Sequence, residues 1–255
     1  MISIITPTLN SERYLEECID SVYSQGVPVQ HIIVDGGSTD KTKEIAFRHP
    51  CTFITKKGST QTEAINIGLK LASGQILGWL NSDDIYEPEA LRIVMEFFSK
   101  NPQADLVYSD CWSIDEKGKL AGMWDTNEFS RFRNLNYFQM IPQPTSFFRA
   151  SVLRNIGYLS EKYNYAFDYD FYVRVAKDYS HEPDYYMKAA KAFNIMRIPG
   201  EPLACFRLHS ESKTKSHAEK FEPEIREIKK EHGATIPHWM AKGLNRAIGL
   251  YKRRL

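Results

Sequence analysis

Through its first hundred residues the chain alternates short apolar runs with stretches of helical spacing. Residues 2–6, 31–34, 52–55 and 76–80 are compact, largely apolar runs, the mark of strands buried on both faces. Between them, Tyr14, Leu15, Cys18, Ile19 and Val22 share one helical face. Ala64, Ile65, Gly68, Leu69 and Ala72 share another, and a shorter, less regular helical stretch follows Ser38. Such alternation predicts an α/β fold with a doubly wound, mostly parallel sheet flanked by helices.

Pro88 suits the first turn of a further helix, which carries Leu91, Val94, Met95 and Phe98 on one face and stops at Asn101-Pro102. Residues 105–110 read as a strand. From 112 to 141 the periodicity loosens among aromatics, Asn and Arg, which predicts irregular, substrate-shaping structure. Helical spacing returns at 150–155 and again near Asp170, with Phe171, Val175 and Ala176 facing inward. Residues 220–255 read as two helices separated by 233–237, a C-terminal helical extension.

Composition narrows the class. A chain of 255 residues with 42% hydrophobic content buries a substantial core. Its 33 basic and 32 acidic residues leave a formal charge of +1, without the basic field that nucleic-acid binding uses. No stretch approaches the roughly 20 apolar residues of a membrane span, and the N-terminus has no basic, apolar leader. Cys18, Cys51, Cys111 and Cys205 are scattered and form no C-x-x-C pair, so they read as reduced thiols. The expectation is a cytoplasmic protein, neither secreted nor transmembrane.

In open parallel sheets ligands bind beyond the carboxyl ends of the strands, so the residues that follow each strand carry the chemistry. Three such ends stand out: Thr6-Pro7-Thr8-Leu9-Asn10, Asp35-Gly36-Gly37-Ser38-Thr39-Asp40, and Asn81-Ser82-Asp83-Asp84. The paired glycines let a backbone approach a ligand, and Ser38 or Thr39 can cap the next helix. Adjacent carboxylates at a buried strand end repel one another unless a cation offsets them. Hard oxygen ligands suit Mg2+ or Mn2+, which accept one or two carboxylates and complete their shell with substrate phosphates. A nucleotide diphosphate is the matching ligand.

Together the three segments resemble, in order and spacing, the signatures of family 2 glycosyltransferases with the GT-A fold. The resemblance implies a nucleotide-sugar-binding half over residues 1–110, an acceptor-binding and catalytic-base half over 111–215, and a tail over 216–255. It implies that Asp35 contacts the nucleobase, that Thr6, Pro7, Thr8, Asn10 and Gly36 line the nucleotide pocket, and that Asp83 holds Mn2+ or Mg2+, with Asp84 a further candidate. The usual acidic first member of the D-x-D pattern is Asn81 here, leaving a neutral oxygen or a ribose contact beside Ser82.

On the acceptor side, Tyr165-Ala166-Phe167-Asp168-Tyr169-Asp170-Phe171-Tyr172-Val173-Arg174 resembles the family's E-D-x-D-L-W-x-R motif. That makes Asp168 the general base, with Asp170 as helix N-cap, Arg174 as a structural salt-bridge partner one turn on, and Phe167 in place of the customary Glu. Gln143, in Gln143-Pro144-Thr145-Ser146, either hydrogen-bonds an acceptor hydroxyl or belongs to an ordinary edge strand. Phe206-Arg207-Leu208-His209-Ser210-Glu211-Ser212 resembles the Y-R-x-H-x-x-S signature, which brings Arg207 or His209 to the diphosphate, metal or acceptor; an ordinary surface imidazole is the other reading.

In residues 239–255, Met240, Leu244, Ala247, Ile248, Tyr251 and Leu255 fall on one helical face, with Lys242, Arg246 and Arg253 opposite. That face either packs on protein or lies peripherally on an anionic membrane. The whole pattern predicts a metal-dependent, inverting transferase that moves a sugar from a nucleotide-diphosphate sugar to a glycan or lipid-linked acceptor, in surface polysaccharide synthesis. UDP-sugars are the default donors, with dTDP and GDP as alternatives. A sugar nucleotidyltransferase fits less well, because the turn after the first strand lacks a Gly-rich basic loop. A non-catalytic nucleotide-sugar-binding or scaffold subunit is the reading that Asn81 and Phe167 would favour.

Overall fold

A computed structural model describes residues 1–176 and 193–236. The amphipathic segment 239–255 lies outside the described residues. The first half runs β1 (Ile2–Thr8), α1 (Leu15–Tyr23), β2 (Val29–Asp35), α2 (Thr42–Ala46), β3 (Thr52–Thr55), α3 (Gln61–Leu71), β4 (Ile76–Trp79), β5 (Ile85–Tyr86), α4 (Ala90–Lys100) and β6 (Leu106–Tyr108). The second runs β7 (Cys111–Asp115), β8 (Leu120–Trp124), α5 (Arg131–Asn136), β9 (Phe147–Arg149), α6 (Ala150–Ile156), α7 (Phe167–Ala176), β10 (Ile195–Arg197), β11 (Ala204–Leu208), α8 (Lys213–Ser216) and α9 (Ala218–Glu231).

The apolar runs become the middle of a seven-stranded sheet of order β10-β6-β9-β4-β1-β2-β3. Every neighbouring pair is parallel except those of β9, which runs antiparallel between β4 and β6. A second sheet, β5-β11-β7-β8, stands beside it. β1 is buried along its whole length because helices cover both faces of the sheet. Ile2 and Ile4 point to α1 and α4, packing with Cys18, Val22, Leu91 and Val94, whereas Ile5 points the other way with Ile65, Leu69, Trp79 and Phe171. α3 lies so close to β1 that a Cβ on Gly68 would fall 2.4 Å from Ile5 Cγ2.

Two expectations change. The stretch read as irregular holds the antiparallel hairpin β7–β8, whose half-buried residues dilute the alternation that marks a strand. α7 begins at Phe167, three residues before Asp170, so Asp170 lies inside the first turn and is not its N-cap. Arg174 pairs with it as expected, at 2.8 Å. Of the two helices expected in 220–255, the first is α9.

Candidate active site

The register Thr8↔Asp35 between β1 and β2 sets their two following turns side by side. The turns then lock together: Asn10 takes a left-handed φ of 50°, its Oδ1 accepts the Thr39 N–H at 2.9 Å, and its own N–H donates to Ser38 Oγ at 2.8 Å. Asp35 spends its carboxylate within its own turn, accepting the N–H groups of Gly37 and Ser38 at 3.1 and 3.0 Å. Gly37 has a φ of +102° there, a conformation that disfavours a side chain.

Beyond these turns opens a cavity of about 590 Å³, within the range of small-molecule sites. Pro7, Thr8, Asn10, Gly36, Asn81, Ser82, Asp83, Gln143, Asp168 and His209, all singled out in the sequence, line it. So do Tyr14, Ser59, Gln61, Tyr165 and Lys213, which sequence reasoning missed. Among the residues that line it, Thr8 Oγ1, Tyr14 OH, Ser59 Oγ and His209 Nδ1 are buried without a hydrogen-bond partner.

Four expected contacts lie elsewhere. Thr6 is fully buried, its Oγ1 bonded to His31 Nε2 at 2.9 Å, and Asp35 sits under its turn. Asp84 is also fully buried, lies outside the cavity lining and accepts the Arg207 N–H at 2.9 Å. Burial and the adjacent Asp83 carboxylate push its pKa well above the usual carboxylate range. Arg207, expected on the acceptor, is 1% exposed; it donates to the carbonyl of Asp83 at 2.9 Å, pairs with Glu17 and stacks on the Tyr14 ring at 4.8 Å. Its guanidinium holds the strand-end turn from behind.

Asn81 is a connector. Its Nδ2 donates to Gln143 Oε1 at 2.9 Å and to Asp84 Oδ2 at 3.2 Å, while its Oδ1 accepts from Gln61 Nε2 at 2.8 Å. Gln143 Nε2 in turn donates to the Trp79 carbonyl at 2.7 Å, so both ends of that amide are committed within the protein. The departure from an acidic residue at 81 follows directly: a carboxylate there would face two further acceptor oxygens.

Asp83 and His209 meet on the wall, Oδ2 to Nε2, at 2.9 Å. That is a direct hydrogen-bonding contact, so a divalent ion held by this carboxylate and imidazole would have to displace it. Among the described residues no cluster of three or more His, Cys, Asp or Glu could hold a metal. The Tyr14 ring, 5.0 Å from that of His209, backs the imidazole.

Asp168, in the first turn of α7, opens on the same cavity. Gln139 Nε2 donates to its Oδ2 at 2.9 Å, and the Tyr169 N–H donates to Oδ1 at 2.8 Å. Burial pushes its pKa above the ordinary carboxylate value, outweighing both hydrogen bonds.

A central parallel sheet interrupted by one antiparallel strand, with an acidic strand end and a second carboxylate across one cavity, defines the GT-A class of glycosyltransferases. Solved structures share that fold. TarS of S. aureus has a TM-score of 0.67 at 19% identity, this chain covering 94% of its own length and 41% of the TarS chain. A shorter TarS chain in complex with UDP-GlcNAc gives 0.66 at 22% identity, with coverage of 97% and 72%. A mannosyltransferase from Pyrobaculum calidifontis, in complex with GDP-Man and Mn2+, gives 0.59 at 16% identity, with coverage of 98% and 81%. A PGL/p-HBAD biosynthesis glycosyltransferase of Mycobacterium tuberculosis is 33% identical over 182 residues, 68% of this chain and 69% of that protein. Residues 3–157 match the model of glycosyl transferase family 2, and the chain belongs to that family. Among the described residues no helix is long and apolar enough to cross a membrane.

Proposed function

We propose that the protein transfers a sugar, with inversion, from a UDP-sugar to a hydroxyl of a glycan or lipid-linked acceptor. The observation that carries this reading is the presence of the Asp83–His209 pair and Asp168 on the walls of one cavity. The nucleotide is received by Thr8, Asn10 and Gly36 at the ends of β1 and β2, which line the cavity. Asp83 and His209 would hold Mn2+ or Mg2+, which when bound offsets the charge of the departing diphosphate. Asp168 takes the proton of the acceptor hydroxyl. The freed oxygen forms a bond to the anomeric carbon as the bond to the phosphate oxygen breaks on the opposite face, and the nucleoside diphosphate leaves with that electron pair. A base with a pKa raised by burial suits such a transfer near neutrality.

The named ligands of structural neighbours, UDP-GlcNAc and GDP-Man, define the panel that tests the donor. UDP-, dTDP- and GDP-sugars are compared by thermal shift with and without Mn2+, followed by slow hydrolysis of the best binder. A manganese-dependent shift with a UDP-sugar and measurable hydrolysis support the reading. Binding without hydrolysis would assign the chain to a non-catalytic subunit, and a larger shift with GDP- or dTDP-sugars would overturn the nucleobase assignment. Products formed on polysaccharide and lipid-linked acceptors test the role in surface polysaccharide synthesis.

A further inference from the structure

We propose that Glu224, on α9, is a positioning residue for Asp168, so that this helix sets the placement of the base. The inference rests on Asp168 acting as proposed above. Glu224 Oε1 accepts the Asn164 N–H at 3.0 Å, and Oε2 accepts the N–H groups of Tyr165 and Ala166 at 2.9 and 2.7 Å. These three donors are the last before α7, whose second residue is Asp168. The first turn of a helix leaves N–H groups without intrahelical partners, and negative charge there is favourable. Here a carboxylate 58 residues further along the chain ties down the backbone N–H groups of the segment that leads into α7.

α9 is itself fixed, so Glu224 does not swing. Ile228 is fully buried in the core beneath α7. Lys162 pairs with Glu227 at 2.9 Å, and Tyr163 OH donates to Glu231 at 2.7 Å, stapling the segment before the base to the same helix. Glu224 also acts through charge, since its carboxylate adds to the forces that raise the Asp168 pKa. Phe167 stands where the family pattern has an acidic neighbour of the base. Glu224 brings a carboxylate to that neighbourhood from outside residues 3–157, which the family model matches.

The test uses the full chain and hydrolysis of the sugar nucleotide selected by the donor panel, with water as acceptor. In Glu224→Gln the amide offers one acceptor oxygen, and its NH2 confronts a backbone N–H. The expected result is a fall in kcat of about tenfold or more with donor KM unchanged, since small misplacements of a reacting group are costly. Amide exchange at 164–166 should accelerate, and the acid limb of the kcat profile should move to lower pH as the neighbouring charge is lost. Glu224→Asp, which keeps the charge, should return the limb towards its original pH. If Glu224→Gln unfolds, the Asp variant carries the test, because its shorter reach lowers kcat while the limb stays in place. Unchanged kcat in the folded variant, or a lower Tm with kcat per folded molecule and the acid limb unmoved, would overturn the proposal. Full hydrolysis by Asp168→Asn would instead remove the base assignment itself.

Discussion

Gln139 donates its side-chain amide to Asp168 Oδ2 at 2.9 Å, and the same Nε2 donates to the Ile141 carbonyl at 2.9 Å. This hydrogen bond favours the carboxylate and opposes the burial that raises its pKa. Gln139→Leu keeps similar bulk and removes the donor. The acid limb of the kcat profile should then move to higher pH, with kcat at the alkaline plateau reduced several-fold. An unmoved limb would show that the bond does not tune the base.

Asp168→Asn should lower transfer by about 10²–10⁴-fold, the usual contribution of a general base. Stability should move the other way. With its folded pKa raised, Asp168 binds more protons folded than unfolded between the two pKa values, so its contribution falls as pH rises through that window. The cost is then fully present above the folded pKa. Thermal melts should therefore show the Asn variant at least as stable as the parent near pH 7, with the difference vanishing below the unfolded carboxylate pKa.

Asp83 and His209 make separable predictions. Asp83→Ala should reduce transfer at least about a hundredfold, a loss of several kcal/mol of charge stabilisation. It should also abolish the manganese dependence of donor binding by calorimetry. His209→Ala should weaken Mn2+ binding yet retain part of that dependence, because the Asp83 carboxylate remains. Manganese-dependent binding that persists in Asp83→Ala would place the ion elsewhere.

Asn81→Asp restores the residue usual in the family pattern, and the structure predicts harm from it. The new carboxylate would face Asp84 Oδ2 and Gln143 Oε1, where the present amide donates to both. A loss of about 1–3 kcal/mol is expected in urea melts, from two lost donations and a repulsive pair. Enhanced metal affinity without destabilisation would contradict the connector role.

Arg207→Ala should cost on the order of 2–4 kcal/mol. The exposed Glu17 carboxylate contributes little to this, being 53% accessible. The larger share comes from the donation to the Asp83 carbonyl and the packing on Tyr14. Donor KM should rise with the fall in Tm, because the same turn presents Asp83 to the cavity.

The three strand-end turns were legible in the sequence because each follows an apolar run and concentrates its chemistry within a few residues. Long-range partnerships were not. Nothing near Asp168 in the chain announces Gln139, 29 residues before it, and nothing near Phe167 announces that the segment leading into α7 is held by Glu224 of α9. Asp83 and Asp84 look alike in sequence for a related reason: only the fold turns one to the cavity and the other onto the Arg207 backbone. Tyr14 reads as one more apolar position of α1, yet it lines the cavity and its ring packs against His209 and Arg207.

The three residues of β9 lie beyond residue 110 in the chain and pair on both sides with strands that precede it, β4 and β6. A chimera joined near residue 110 would therefore have to match a foreign β9 to two inherited edges at once. Recombination of halves is a poor route to new specificity in such a slab. Change by point substitution along the cavity rim, where the sheet register is untouched, is the easier path for evolution or for an engineer.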